Sequence, residues 1–397
     1  VDTFEQFSGA TELGWPLLLA LAWVVGELGY RWTKLPRISL YALVGFAAAQ
    51  LGGTLLPAAG DNTGMLLANI SFGLILFEFG YRINLRWLRI NPWLGASGVL
   101  EASLTFVAIY FLSRAWGSPV LTSLLLASLS MSTSPAAVMR VINEQRSAGQ
   151  VTERLLHLTA LNCVLSVFAF KVVVGFWAFD SSGNVWQAVS SSVLVLVASA
   201  ALGIAFGIGM PGLLRRLGTL GRDATVAFAV AVILLVGIAQ AFKLSPLLAA
   251  LAFGLVARHH RVALTQTQRN FGVLGELLAV ALFTYTAMAV EWPRVVAGLG
   301  LGLALVTLRL VIKVACVTAL ARASGSSWRK GALTGLALTP ISVFVILLLD
   351  QTRYLGIDLL DQLAPLAAAT LLLELVGPAV SQYALRRAGE CRESEGA

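Results

Sequence analysis

Three basic residues, Lys171, Arg309 and Lys313, stand inside stretches that are otherwise almost wholly apolar, and so do the acids Glu101 and Glu374. A cation at a bilayer centre costs on the order of 3 kcal/mol on insertion scales, so such groups face protein or a wet cavity. A buried lysine can carry a proton, and a buried carboxyl can carry a proton or neutralise a cation. Two apolar runs are also interrupted half-way by hydroxyls and a proline. One reads Ser130-Met131-Ser132-Thr133-Ser134-Pro135, the other Leu338-Thr339-Pro340-Ile341-Ser342. Proline removes a backbone donor, and Ser and Thr compete for nearby carbonyls. A helix broken there offers amides to anions and carbonyls to cations. Together these residue types point to the binding of ions and protons within a membrane.

The composition requires the membrane. Of the 397 residues 58% are hydrophobic and 12% charged, with mean hydropathy +0.82, against roughly 25% charged residues in a soluble domain. So few charges cannot cover a water-soluble surface. Soluble enzymes, DNA-binding proteins and secreted disulfide scaffolds are excluded. Cys163, Cys316 and Cys391 are far apart and odd in number, without a disulfide or zinc pattern. There is no Walker-type phosphate loop and no metal-ligand cluster, so neither a cofactor nor a resident metal is expected. His259 and His260 read as solvated loop residues, and His157 as a polar helix end. Residues 1–12 hold Asp2, Glu5 and Glu12 and no basic residue, unlike a secretory leader.

Charged and Pro/Gly punctuation divides the chain into thirteen expected spans: 13–30, 38–57, 64–81, 92–113, 119–142, 155–179, 186–213, 224–242, 244–257, 271–290, 295–321, 331–349 and 362–384. Helices are required because a lipid-exposed segment must satisfy its own backbone. The segments after odd-numbered spans carry three basic residues each: Arg31, Lys34 and Arg37 after the first, Arg82, Arg86 and Arg89 after the third, Arg140, Arg146 and Arg154 after the fifth, and so on to Arg386, Arg387 and Arg392. The other loops hold only Arg114, Lys243, Arg294 and Arg353. The positive-inside rule then places the N-terminus outside and the C-terminus in the cytoplasm. The net charge of +8 is spent on topology rather than on nucleic acid.

The two interrupted spans are the fifth and twelfth, an odd number apart, so they run in opposite directions. A proline flanked by Ser or Thr can be a mere kink. Two such breaks in corresponding places of inverted halves point instead to a transporter's midplane site. The expected layout is an all-α membrane domain over 1–384, with inverted repeats at about 13–179 and 224–384, a linker span at 186–213, and a short cytoplasmic tail at 385–397.

Several motifs, in order, resemble the monovalent cation:proton antiporter superfamily, closest to its Kef-type and NapA-like branch. Leu35-Pro36-Arg37-Ile38-Ser39-Leu40-Tyr41 followed by Gly45 is similar to its early Pro/Gly-Tyr stretch. Leu76-Phe77-Glu78-Phe79-Gly80-Tyr81-Arg82-Ile83-Asn84-Leu85 resembles its Leu-Phe-x-x-Gly-Leu-Glu signature, with Arg82 where an acid is usual. Thr133-Ser134-Pro135-Ala136-Ala137-Val138 and Gly335-Leu336-Ala337-Leu338-Thr339-Pro340 resemble its two crossover helices, and Lys313 its lysine in the preceding span. The resemblance implies a homodimer with a static dimerisation domain and a mobile core moving like an elevator. It also implies exchange of protons for Na⁺ or K⁺ at a carboxylate in span 6, in a bacterial-type inner membrane.

The sequence departs from that pattern where the ion should sit. The family's Asp-containing pair corresponds to Asn162-Cys163, and Thr-Asp-Pro of some branches is Thr-Ser-Pro here. Sulfur is a poor ligand for hard ions, which take oxygen. The residues set for ion or substrate binding are Thr133, Ser134, Asn162, Cys163, Thr339 and Ser342. Those set for proton coupling or charge compensation are Lys313, Arg309, Glu101 and Glu374. Glu101 or Glu374 could supply the missing negative charge; either could equally be a structural partner of Arg309. Lys313 reads as a proton carrier or as a structural cation on half-helix carbonyls. Lys171 reads as reaching toward the outer interface. Antiport of a monovalent cation against protons is the leading reading. Its rivals are an antiporter fold that has lost exchange and serves as a sensor or assembly subunit, and a transporter of a small anionic substrate.

Overall fold

The apolar runs fold as helices, and no strand occurs among the described residues of the computed structural model, 13–51, 62–178, 185–217, 224–259, 265–341 and 363–391. In chain order the helices are α1 Gly14–Thr33, α2 Arg37–Leu51, α3 Asn62–Arg82, α4 Leu85–Ile90, α5 Pro92–Ala115, α6 Val120–Ser130, α7 Pro135–Gln145, α8 Gln150–Ala178, α9 Val185–Leu217, α10 Ala224–Ala241, α11 Pro246–His259, α12 Thr265–Met288, α13 Trp292–Ala319, α14 Trp328–Ala337 and α15 Ala364–Arg387. Among the described residues seven segments are long and apolar enough to cross a membrane, the α6–α7 pair counted as one. The short α4 falls outside every expected span. It is started by Asn84, whose side chain accepts from the amides of Arg86 and Trp87.

The helices sort into two bundles. One holds α1, α2, α3 and α9–α12; the other holds α5–α8 and α13–α15. The first and second halves of the chain each give the second bundle three helical positions, α5, α6–α7 and α8 against α13, α14 and α15. The bundles meet where α9 packs on α8, where α2 packs on α15, and where α3 and α12 pack on α7. Lipid-facing helices display apolar side chains outward, as α9 does with Val193, Leu194, Val197, Ile204 and Ile208. The apolar stretch of α9 is 17% buried, whereas that of α6–α7 is 89% buried. The interrupted helix is the centre of the molecule.

The first expected interruption is present, at the second the helix ends where the sequence predicts, and local chemistry makes both. In the first, α6 stops at Ser130 and α7 starts at Pro135. Ser134 caps the new helix, accepting from the Ala137 amide at 3.1 Å. Pro135 occupies the first helical position, where its missing N–H costs nothing. In the second, α14 stops before Leu338-Thr339-Pro340, because the Pro340 ring cannot continue it. The continuation of span 12 from Ser342 onward, like the end of span 2, lies outside the described residues.

The chain after α15 turns back onto α8. The Glu390 carboxylate accepts from the amides of Val151 and Thr152, each at 2.8 Å. It thereby supplies an acid at the start of the helix that carries Asn162 and Cys163.

Candidate functional site at the crossing of the broken helices

The two interruptions touch. The Ser134 amide donates to the Pro340 carbonyl at 3.0 Å, and the Thr133 hydroxyl donates to the Leu338 carbonyl at 3.3 Å. The helices α6 and α14 therefore end side by side, each presenting carbonyls that no helix satisfies.

Arg309 of α13 fills that gap. Its guanidinium donates to Ser130 O at 2.9 Å and Ser132 O at 2.6 Å on one side, and to Thr339 O at 2.6 Å, Leu338 O at 3.3 Å and Pro340 O at 3.4 Å on the other. The sequence left open a pairing with Glu101 or Glu374; instead backbone carbonyls take every contact. Two helix C-termini, each worth roughly half a negative charge, stand in for a carboxylate. Arg309 is 2% exposed and acts as a rivet.

One turn further along α13, Lys313 meets the carboxylate that Arg309 lacks. Its Nζ lies 2.5 Å from Glu101 Oε1 on α5, with both side chains 0% exposed. It also donates to Met131 O and Thr133 Oγ1, each at 3.3 Å. The three ammonium donors are thus spent on one carboxylate, one half-helix carbonyl and one hydroxyl. Thr105 donates to the same Glu101 oxygen at 3.4 Å, and Glu101 Oε2 has no partner among the described residues.

Helix α8 closes the site. Asn162 Nδ2 donates to Thr133 Oγ1 at 3.3 Å, and its Oδ1 has no partner among the described residues. Cys163 Sγ donates to the Thr133 carbonyl at 3.0 Å. Asn162 thus satisfies a hydroxyl, while the backbone freed by the break is taken by Cys163. Thr133 is the hub of the cluster. Its hydroxyl meets Lys313 and Asn162 and its carbonyl meets Cys163.

The remaining expected residues divide. Thr339 contributes its carbonyl to Arg309, and its own hydroxyl turns back to Leu336 O. Ser134 serves as the cap of α7. Ser342 lies outside the described residues. Lys171 is half-buried, two turns beyond Cys163 on α8. Glu374 does not join the Lys313 cluster; it is buried beside Thr286 of α12.

A second polar layer went unrecognised in the sequence. The charge pattern assigns Arg140 and Arg154 to a cytoplasmic loop, yet they are 6% and 3% exposed. Arg140 of α7 reaches Glu78 of α3 at 2.9 Å, and Asn143 donates to the same carboxylate at 3.0 Å. Arg37 of α2 lies 3.4 Å from Glu144 of α7. These pairs tie one bundle to the other. The polar run Arg140, Asn143, Glu144 at the end of α7 was the available signal.

A half-helix crossing that holds a lysine–carboxylate pair suits the exchange of cations and protons. Residues 17–385 match the family model for the transmembrane domain of sodium/hydrogen exchangers. The chain belongs to that family. Membership sets the activity class of the exchanger as cation:proton antiport, a secondary transport and not enzyme catalysis. Two solved structures of the sodium proton antiporter MjNhaP1 from Methanocaldococcus jannaschii share the fold. One, at pH 8, has a TM-score of 0.64 and 16% identity over 94% of each chain. The other, from an electron-microscopy map, has a TM-score of 0.69 and 17% identity, covering 95% of the exchanger and 98% of that chain. No curated relative matches the exchanger at a significant level.

Proposed function

We propose that the chain exchanges a monovalent cation, Na⁺ or K⁺, for protons, with Glu101 supplying the negative charge that Asn162-Cys163 lacks. The supporting observation is the fully buried Lys313–Glu101 pair at the contact of the two broken helices. A hard cation needs oxygens; Glu101, Thr133 Oγ1 and Met131 O belong to this one network, and Asn162, bonded to it through Nδ2, holds an Oδ1 with no partner among the described residues. When a cation takes the carboxylate, Lys313 loses its counter-charge. An unpaired ammonium in that setting is far costlier than the neutral amine, so its proton leaves. The return of a proton to Lys313 restores the pair and expels the cation. One carboxylate thus alternates between two partners.

The bundle of α5–α8 and α13–α15 carries the pair and moves against the other bundle, alternating access to the two sides. The two halves of the chain act as inverted repeats within thirteen spans, and the chain works as a homodimer in the plasma membrane. The distribution of Arg and Lys supports an external N-terminus and a cytoplasmic C-terminus.

The test is cation-driven proton flux in proteoliposomes under Na⁺ and K⁺ gradients. Flux is expected in the parent and is expected to be lost in Glu101→Gln at every pH. A parent without flux under either gradient, together with a Cys163→Asp variant that gains it, would establish the rival reading of a fold that has lost exchange. The specific observation favouring that rival is Cys163, whose thiol spends its proton on a backbone carbonyl.

A further inference from the structure

Glu374 lies on α15 where it meets α2 and α12, at the seam between the two bundles, and is 2% exposed. Neither carboxyl oxygen has a hydrogen-bond partner among the described residues. The Thr286 hydroxyl lies beside the carboxyl, but its proton goes to Leu282 O at 2.9 Å. Ser39 of α2 donates at 3.5 Å to the main-chain carbonyl of Glu374, not to its side chain. On the outward side the seam is apolar, with Phe46, Val290 and Leu371 packed together.

Among the described residues, the charged groups on the elements packed around α15 are engaged elsewhere. On α13, Arg309 is held by carbonyls and Lys313 by Glu101, while Arg294 pairs with Glu291. On α14, Arg329 donates to Arg387 O and Lys330 to Gln150. On α2, Arg37 pairs with Glu27 and with Glu144 of α7, and on α7 Arg140 pairs with Glu78. On α12, Glu276 is exposed and the ring of Tyr285 packs on Trp15. The ring of Tyr41 of α2 packs against Gly26 of α1. A carboxylate shut away from water, with neither donor nor cation among the described residues, is far costlier than the neutral acid. With the bundles packed as they are, the group is therefore an acid carrying its proton.

We propose that Glu374 is a second proton-binding site, set in the seam between the two bundles and separate from the Glu101–Lys313 pair. Its proton is held while the seam is closed. When the seam parts, water reaches the carboxyl and the proton is released; closure requires its return. High pH therefore slows closure by leaving the carboxylate charged.

This goes beyond the exchange reading and uses it only for the transport readout. In the parent protein in detergent, a hydrophobic carbodiimide, which reacts with protonated buried carboxyls, is mapped by peptide mass across pH. Labelling at Glu374 that fades as pH rises is expected; absent or pH-independent labelling at Glu374 would overturn the site. In proteoliposomes, Glu374→Gln is expected to keep exchange at acid pH and to exceed the parent several-fold at alkaline pH, because glutamine stays neutral. A variant with the parent's pH profile would also overturn the site. If Glu374→Gln does not fold, the labelling decides alone. Persistence of that labelling in Glu101→Gln separates failure of exchange from failure of this site.

Discussion

At the residue scale, Arg309 and Lys313 look interchangeable in a sequence and differ in what holds them. Arg309 is fixed by five carbonyls that belong to the backbone. Its removal would strand them away from water, and an unsatisfied buried polar group costs about 1–3 kcal/mol. Lys313 depends chiefly on one side chain, Glu101. Breaking a buried ion pair from one side costs about 3–5 kcal/mol, whereas replacing both partners by apolar residues is often neutral. Lys313→Met and Glu101→Met are each expected to lower the unfolding temperature in detergent, and the double variant is expected to recover most of the loss. All three would lack exchange. Strictly additive losses would show that the two residues do not stabilise each other. Arg309→Met is expected to lose more stability than Lys313→Met, with no second substitution that rescues it.

At the scale of elements, two short helix ends make the site, and their caps can be tested one by one. Ser134→Ala removes the side-chain acceptor of α7 and is expected to cost about 1 kcal/mol, as lost N-caps typically do. Ser134→Thr keeps a hydroxyl acceptor and is expected to cost less, which thermal unfolding of the two variants compares directly. Behind the second break, α15 approaches without a side chain in the way. A Cβ on Gly377 would lie 2.8 Å from Pro340 Cα. Gly377→Ala is therefore expected to push α15 off the crossing and to lower the unfolding temperature, overpacking of this kind costing typically 1–3 kcal/mol. Gly95→Ala, with open space around its Cβ position, is the control. The breaks themselves were legible because proline and clustered hydroxyls leave a mark in the sequence. The rivet was not, because its partners are carbonyls that every residue carries. Glu101 and Lys313 were each singled out as charges in apolar runs, but nothing in one sequence says which two spans touch. The short α4 was missed because six residues carry too little periodicity to read.

At the scale of the whole molecule, the question is what the seam between the bundles must give up to move. Beside the apolar contacts of α2 with α15, it holds Arg140–Glu78 at 2.9 Å and Arg37–Glu144 at 3.4 Å, and Gln382 donates to Lys34 O at 3.1 Å. All three contacts pair a residue of one bundle with a residue of the other. The arginine and glutamate of the first pair are nearly buried, so solvent screens them little. A Cβ on Gly275 of α12 would meet the Arg140 guanidinium at 2.5 Å, which shows how tightly the seam closes over that pair. Sliding one bundle along the other must break these contacts together, so they favour the state in which this end of the seam is shut. Arg140→Gln should weaken that state without touching the Lys313–Glu101 pair. Because each 1.4 kcal/mol is about a tenfold change in an equilibrium constant, even partial loss of the contact should be visible as exposure. The measurement is labelling of an Ile142→Cys variant by a water-soluble maleimide, with Cys391 replaced by serine. Ile142 is buried on α7 and is expected to react slowly in that background and several-fold faster once Arg140→Gln is added. Equal rates would mean that the ion pairs fasten α7 to α3 as static packing and that movement, where it occurs, leaves this end of the seam intact.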